Sequence, residues 1–117
     1  MAYVDGFLIV VPRKNMAAYK KMAQWGKRIW MKHGALEYRE CVGDDLQTHC
    51  GTTFPKVLKL KAGEVPVFSW IVFKSRAHRD RVNAKVMKDP SMEVLPKTMP
   101  FNPKRMSYGG FKVFVGT

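Results

Sequence analysis

The stretch Val67-Phe68-Ser69-Trp70-Ile71-Val72-Phe73 is apolar at both odd and even positions except for one serine. Successive residues of a strand point to opposite faces, so such a run describes a strand covered above and below, in the middle of a sheet. Lys74 ends the run, Ser75 stands where a helix cap belongs, and Arg76 to Lys88 has helical composition. Any fold for this chain must bury both faces of that strand and begin a helix directly after it.

The remaining segments are arranged to do so. Tyr3 to Val11 predicts a first strand, with Tyr3, Asp5, Phe7 and Ile9 on one face and Val4, Gly6, Leu8 and Val10 on the other. Pro12 stops it and Asn15 is expected to cap the next helix. From Met16 to His33, Tyr19, Met22, Ala23, Gly26, Ile29, Trp30 and His33 recur at spacings of three and four, the stripe of an amphipathic helix. Gly26 within the stripe predicts a close approach of helix to sheet, opposite Gly6, and Gly34 suits a left-handed helix end. Ala35 to Asp44 reads as a more polar strand, at an edge or facing a wet cavity. Residues 46–63 read as an insertion with an extended piece from Val57 to Lys61. After the organising strand, His78, Val82 and Val86 mark the apolar side of the second helix. A proline-rich covering loop spans about 90–104, and Met106 to Val115 predicts the last strand, with Gly109-Gly110 at a bulge or close contact.

The order strand, helix, strand, insertion, strand, helix, strand is the split βαβ pattern of an α+β, ferredoxin-like βαββαβ sandwich with an antiparallel sheet. All 117 residues fit one such domain. Both helices then cover one face of the sheet. The other face, with its Phe and Trp side chains, lies bare in a monomer, and pairing two sheets in an isologous dimer covers it.

Several segments are specific enough to carry a resemblance. Among them are Tyr3-Val4-Asp5-Gly6-Phe7, Glu40-Cys41-Val42-Gly43-Asp44-Asp45, Phe68-Ser69-Trp70, Lys74-Ser75-Arg76-Ala77-His78-Arg79-Asp80 and Tyr108-Gly109-Gly110-Phe111. Over nearly its whole length the chain resembles the bacterial YbaA-like family, a domain of unknown function within the dimeric α/β barrel superfamily. The resemblance implies a ferredoxin-like protomer whose sheet packs on a partner's sheet and encloses a cavity. It supplies no reaction and no catalytic residue. Some relatives in the superfamily carry out cofactor-independent oxygenation or isomerisation, so an enzyme of that kind is implied only by analogy.

The residues themselves narrow the chemistry. Two cysteines, Cys41 and Cys50, do not make a disulfide framework, and a reduced cytoplasmic setting is expected. No apolar run approaches the ~20 residues of a membrane span, so no membrane partner is expected. His33, His49 and His78 with the two cysteines lack the paired spacing of a zinc site, so neither metal nor other cofactor is expected. Cys41 reads as a small apolar residue rather than a nucleophile, and Ser69 has no Gly-x-Ser-x-Gly context. Asp5, inside an apolar strand, is the candidate general base; its plainer role is an ion pair with Arg105 or a lysine. Tyr3, Asp5, Tyr38, Ser69, Trp70, Arg105 and Tyr108 are the candidates to line a ligand cavity, with dimer core the other role open to Tyr38, Trp70 and Tyr108; the loop bearing Phe101 reads either as a lid or as a plain surface connection stiffened by proline.

The formal charge of +12 favours polyanions. The skeleton matches the RNA-recognition module, but the third strand lacks that module's glycine and basic positions, and dimerisation removes its stacking platform. Nucleic acid, the alternative partner, is therefore expected to bind only through the lysine- and arginine-rich helices, without sequence preference. The leading expectation is a homodimer holding an unidentified small molecule.

Overall fold

The structure, a computed structural model, describes residues 1–96 and 98–116. Strands β1 (Tyr3–Pro12), β2 (Glu37–Val42), β3 (Glu64–Phe73) and β4 (Ser107–Lys112) form one antiparallel sheet in the order β2-β3-β1-β4. Helices α1 (Met16–Lys32) and α3 (Arg76–Lys88) lie between β1 and β2 and between β3 and β4 in the chain. The organising strand is central, hydrogen-bonded to β1 on one side and β2 on the other. This is the α+β, ferredoxin-like arrangement.

The register pairs Tyr3 with Phe73, Phe7 with Ser69 and Ile9 with Val67. Odd-numbered residues of β1 and β3 therefore share the face beneath the helices. Two apolar clusters form there. One gathers Tyr3, Ile29, Ile71, Phe73, Val82 and Val86, the other Ile9, Val11, Tyr19, Ala23, Val67 and Phe101. Phe73, Val11 and Val86 lose all contact with solvent, which by area alone favours folding by about 1.5–3 kcal/mol for each side chain.

The even-numbered face is bare over much of its extent. Phe68 is 50% exposed and Phe111 63%, with Phe68 and Trp70 ring centroids 5.3 Å apart. Leu46 and Phe54 from the insertion reach one end of this face, beside Pro66, Leu8 and Phe68, and Pro66 and Val10 there are buried.

Local details both follow and depart from the sequence reading. Ser75 caps α3, accepting a hydrogen bond from the His78 amide at 3.1 Å, and Gly34 takes φ +110° after α1. Asn15 does not cap α1 with its side chain; its Nδ2 instead donates to the Pro100 carbonyl at 3.0 Å, tying the proline-rich loop to the start of the helix. The piece expected to extend from Val57 to Lys61 does not: Val57 ends a short helix, α2 (Phe54–Val57), with Pro55 in its first turn where the missing N–H costs nothing, and Leu58 and Lys59 turn, Lys59 at φ 51°. Gly6 does not face α1, since it lies on the even-numbered face, where its nearest side chain is Phe111. The covering loop forms a 3-10 turn at Pro90–Val94 and another at Pro103–Arg105, and its Phe101 enters the core edge-on to Tyr19; Lys97 of that loop lies outside the described residues.

Candidate functional site

The edge strand β2 alternates like its neighbours, so Tyr38 and Glu40 point beneath the helices while Glu37, Arg39 and Cys41 point the other way. A carboxylate on the inward side of a sheet must find partners or lose its charge. Glu40 finds two phenols. Tyr19, from α1, donates to Oε1 at 2.7 Å, and Tyr38, two residues earlier on β2, donates to Oε2 at 2.9 Å. Ser69 stands directly across the ladder from Glu40.

Burial raises the Glu40 carboxyl above its ordinary range, against the opposing effect of hydrogen bonds from Tyr19, Tyr38 and Ser69. Burial, followed by the neighbouring Glu40 charge, pushes both phenols further up. The two hydroxyls therefore stay protonated as donors across the physiological range, and Glu40, its carboxyl raised by burial, is the acidic member of the trio.

Two spaces meet at this trio. A groove of about 520 Å³ opens between α1 and β2, walled by Met16, Ala17, Ala23, Val42 and Val67 with Lys20 and Lys27 along the helix side. A smaller cavity of about 170 Å³ lies inside, toward Phe7, Trp30, Ser69 and Phe101. Tyr19, Tyr38 and Glu40 line both. The outer volume falls within the ~300–1,000 Å³ of small-molecule sites.

Of the residues singled out from the sequence, the structure brings Tyr38 and Ser69 to this site, and Trp70 also borders its smaller cavity. Tyr3 and Asp5 share the same side of the sheet but form a separate cluster under α3. Arg79 reaches Asp5 Oδ1 at 3.7 Å, donates to the Tyr3 hydroxyl at 3.2 Å and stacks 4.9 Å above the Tyr3 ring. The partner of Asp5 is thus Arg79 and not Arg105, which pairs with Glu64 and donates to the Leu58 and Lys59 carbonyls. Burial raises the Asp5 carboxyl, with Arg79 and Asn83 opposing. Trp70 belongs to the bare face, where its Nε1 donates to Glu37 at 3.1 Å. Tyr108 stacks on Phe7 from the edge strand β4 and stays largely exposed. The groove therefore lies between sheet and helix, whereas the sequence reading put a cavity between the sheet and a partner.

Glu40 and Tyr19 escaped the sequence reading. Glu40 looked like one of several charges on a polar edge strand, and Tyr19 like one core residue of a helical stripe. The available signal was parity: Glu40 alternates in step with Leu36 and Tyr38, the apolar side of β2. Among the described residues, no group of three His, Cys, Asp or Glu is arranged to hold a metal, and no helix is long and apolar enough to cross a membrane.

A four-stranded antiparallel sheet under two helices, with a part-buried carboxyl beside an open groove, defines a ferredoxin-like α+β protein with a preformed pocket. Solved structures agree on the fold. An uncharacterized NIPSNAP domain protein from Burkholderia xenovorans superposes with TM-score 0.60 at 17% identity, over 100% of both chains. A dimeric ferredoxin-like protein from an uncultured marine organism does so with TM-score 0.53 at 13% identity, again over 100% of both. The chain belongs to the protein family of unknown function DUF1428, whose model matches residues 2–103. It is 40% identical over 115 residues, 98% of each chain, to the uncharacterized protein YbaA of Escherichia coli K12, and equally to that of Shigella flexneri.

Proposed function

We propose that this protein is a homodimer that binds a small organic molecule in the groove between α1 and β2, and that Glu40 moves a proton on it. The observation that carries the reading is the Glu40 carboxyl, half-buried in the lining of the groove and bonded by Tyr19 and Tyr38, one phenol per oxygen. In its ionised form such a carboxylate takes a proton from a carbon next to a carbonyl. The C–H electron pair becomes the C=C bond of an enolate and the carbonyl oxygen gains the negative charge; as one Glu40 oxygen takes the proton, the phenol that had donated to that oxygen is released to donate to the enolate. Return of the proton to oxygen or to another carbon completes an isomerisation that needs no oxidant, reductant or cofactor.

Dimerisation through the bare face is supported by its apolar side chains, Val4, Leu8, Phe68, Trp70 and Phe111, which share one side of the sheet. It is supported also by the dimeric state named for one structure of this fold. Free Cys41 and Cys50 fit a reducing cytoplasm. The nucleic-acid alternative rests on the +12 charge alone, and binding that vanishes with moderate salt would reduce it to non-specific attraction.

The test is native mass spectrometry of gently purified protein, followed by exchange in D₂O. The expected species is a dimer of the 13.4 kDa chain retaining a small molecule. That molecule, once isolated, should take up deuterium with the wild type and not with Glu40→Gln. A bare monomer, or equal exchange by both proteins, would overturn the proposal.

A further inference from the structure

The groove carries a second chemical instruction besides Glu40. Met16, Lys20, Ala23 and Lys27 follow one another at spacings of four, three and four along α1, so they form a single line on the flank that faces β2. Lys20 and Lys27 are seven positions apart, about 10.5 Å along the helix. Both border the groove, and among the described residues neither makes a salt bridge, whereas Lys32, Arg39, Arg79 and Arg105 each do. Among the described residues, the one acidic side chain lining the groove is Glu40, whose oxygens are already bonded to Tyr19 and Tyr38. The rest of the lining is largely apolar: Met16, Ala17, Ala23, Val42 and Val67. Uncancelled cations beside low-polarity walls draw an anion into the cleft more strongly than the same charges on an open surface.

Building on the Glu40 reading, we infer that the substrate is a small organic acid. Its carboxylate is held by the lysine wall of α1, its apolar body lies against Ala23, Val42 and Val67, and its carbonyl-activated C–H faces Glu40. Lysine is a compact charge on a flexible stem and needs no particular orientation of the carboxylate. Two lysines two turns apart therefore accept acids of different lengths. A 2-oxo acid combines the required carboxylate with a carbonyl that acidifies the neighbouring C–H.

Phenylpyruvate and its neutral counterpart phenylpyruvamide are the probes, with binding followed by calorimetry. The acid should bind wild type at least ten-fold more tightly than the amide. Lys20→Met with Lys27→Met should remove that preference while leaving amide binding unchanged. Lys85→Met with Lys88→Met removes the same charge from the exposed side of α3 and should change acid binding less than two-fold. Equal binding of acid and amide, binding of neither, or equal losses in the two double variants would each overturn the inference. Failure of the proton-transfer reading shows separately: the acid preference and its dependence on Lys20 and Lys27 would persist while wild type fails to speed deuterium uptake by bound phenylpyruvate.

Discussion

The Tyr38 hydroxyl sits 3.0 Å from the point where a Cβ on Gly26 would lie. The missing side chain on α1 is therefore what lets Tyr38 stand upright beneath the helix and reach Glu40 at 2.9 Å. A glycine in mid-helix costs up to about 1 kcal/mol relative to alanine; here that cost secures one of the two hydrogen bonds on the candidate acid. Gly26→Ala should leave overall stability within about 1 kcal/mol of wild type, since the helix gains what the contact loses. It should also lengthen the Tyr38–Glu40 bond and move the Glu40 carboxyl further up. Carboxyl-carbon NMR titration checks this; an unmoved Glu40 would sink it.

Glu40 also sets a pH dependence of stability. Its carboxyl is raised in the folded protein above the ordinary 4.5, so the folded state binds more protons than the unfolded state between the two values. Stability from this group is fully present below 4.5 and is lost as pH rises through the folded value. Urea unfolding followed upward from pH 4.5 should show a flatter profile for Glu40→Gln than for wild type. A parallel profile would refute the assignment.

Asp89 works in the opposite sense. It follows α3, accepts from the Ser91 amide at 2.8 Å, and meets His33 at 2.6 Å and Lys32 at 3.3 Å across from the end of α1. The Ser91 amide foremost, with His33, holds its carboxyl well below the ordinary 3.8. The stability it contributes is present above pH 3.8 and disappears as pH falls further. Asp89→Asn should lower the melting temperature at pH 7, by several degrees for the loss of roughly 1 kcal/mol. The gap to wild type should narrow in acid below 3.8. A gap that widens there would contradict the reading.

Gly110 lies under the ring of Tyr3: a Cβ there would come 2.7 Å from Tyr3 Cε2. Gly110→Ala must push Tyr3 away from Arg79 and loosen the edge strand β4, at a cost of about 1–3 kcal/mol by overpacking. Denaturant unfolding measures it. A smaller side chain at position 3, in Tyr3→Leu combined with Gly110→Ala, should recover part of the loss; strict additivity would argue against the contact as its cause.

Phe68 separates folding from assembly. Being half exposed in the protomer, Phe68→Asp should change protomer unfolding by less than about 1 kcal/mol. In the proposed dimer, where it lies at the centre of the covered sheet, the substitution should weaken self-association by at least about 2 kcal/mol, some thirty-fold. Sedimentation velocity across a concentration series distinguishes the two. An unaltered dimer would place the interface elsewhere.

What the sequence determined by itself was local periodicity and the order that follows from it. A strand apolar on both faces has no stable place except the middle of a covered sheet, so β3 was legible as central. Ser75 and Gly34 were legible as helix ends, because cap chemistry depends on neighbours a few residues away. A polar alternation marked β2 as an edge. The tertiary structure decided how distant residues were paired. Period-two alternation puts Glu37 and Glu40 on opposite faces of β2 but does not say which face the helices cover, and only the seating of α1 brought Tyr19 over Glu40. Tyr19 lies 21 positions before Glu40, and Arg79 lies far from Asp5 in the chain. Asn15 had a nearby amide to cap and bonded to Pro100 instead. Each of these partners was chosen by packing in three dimensions, where burial penalises an unpaired polar group whatever its distance along the chain.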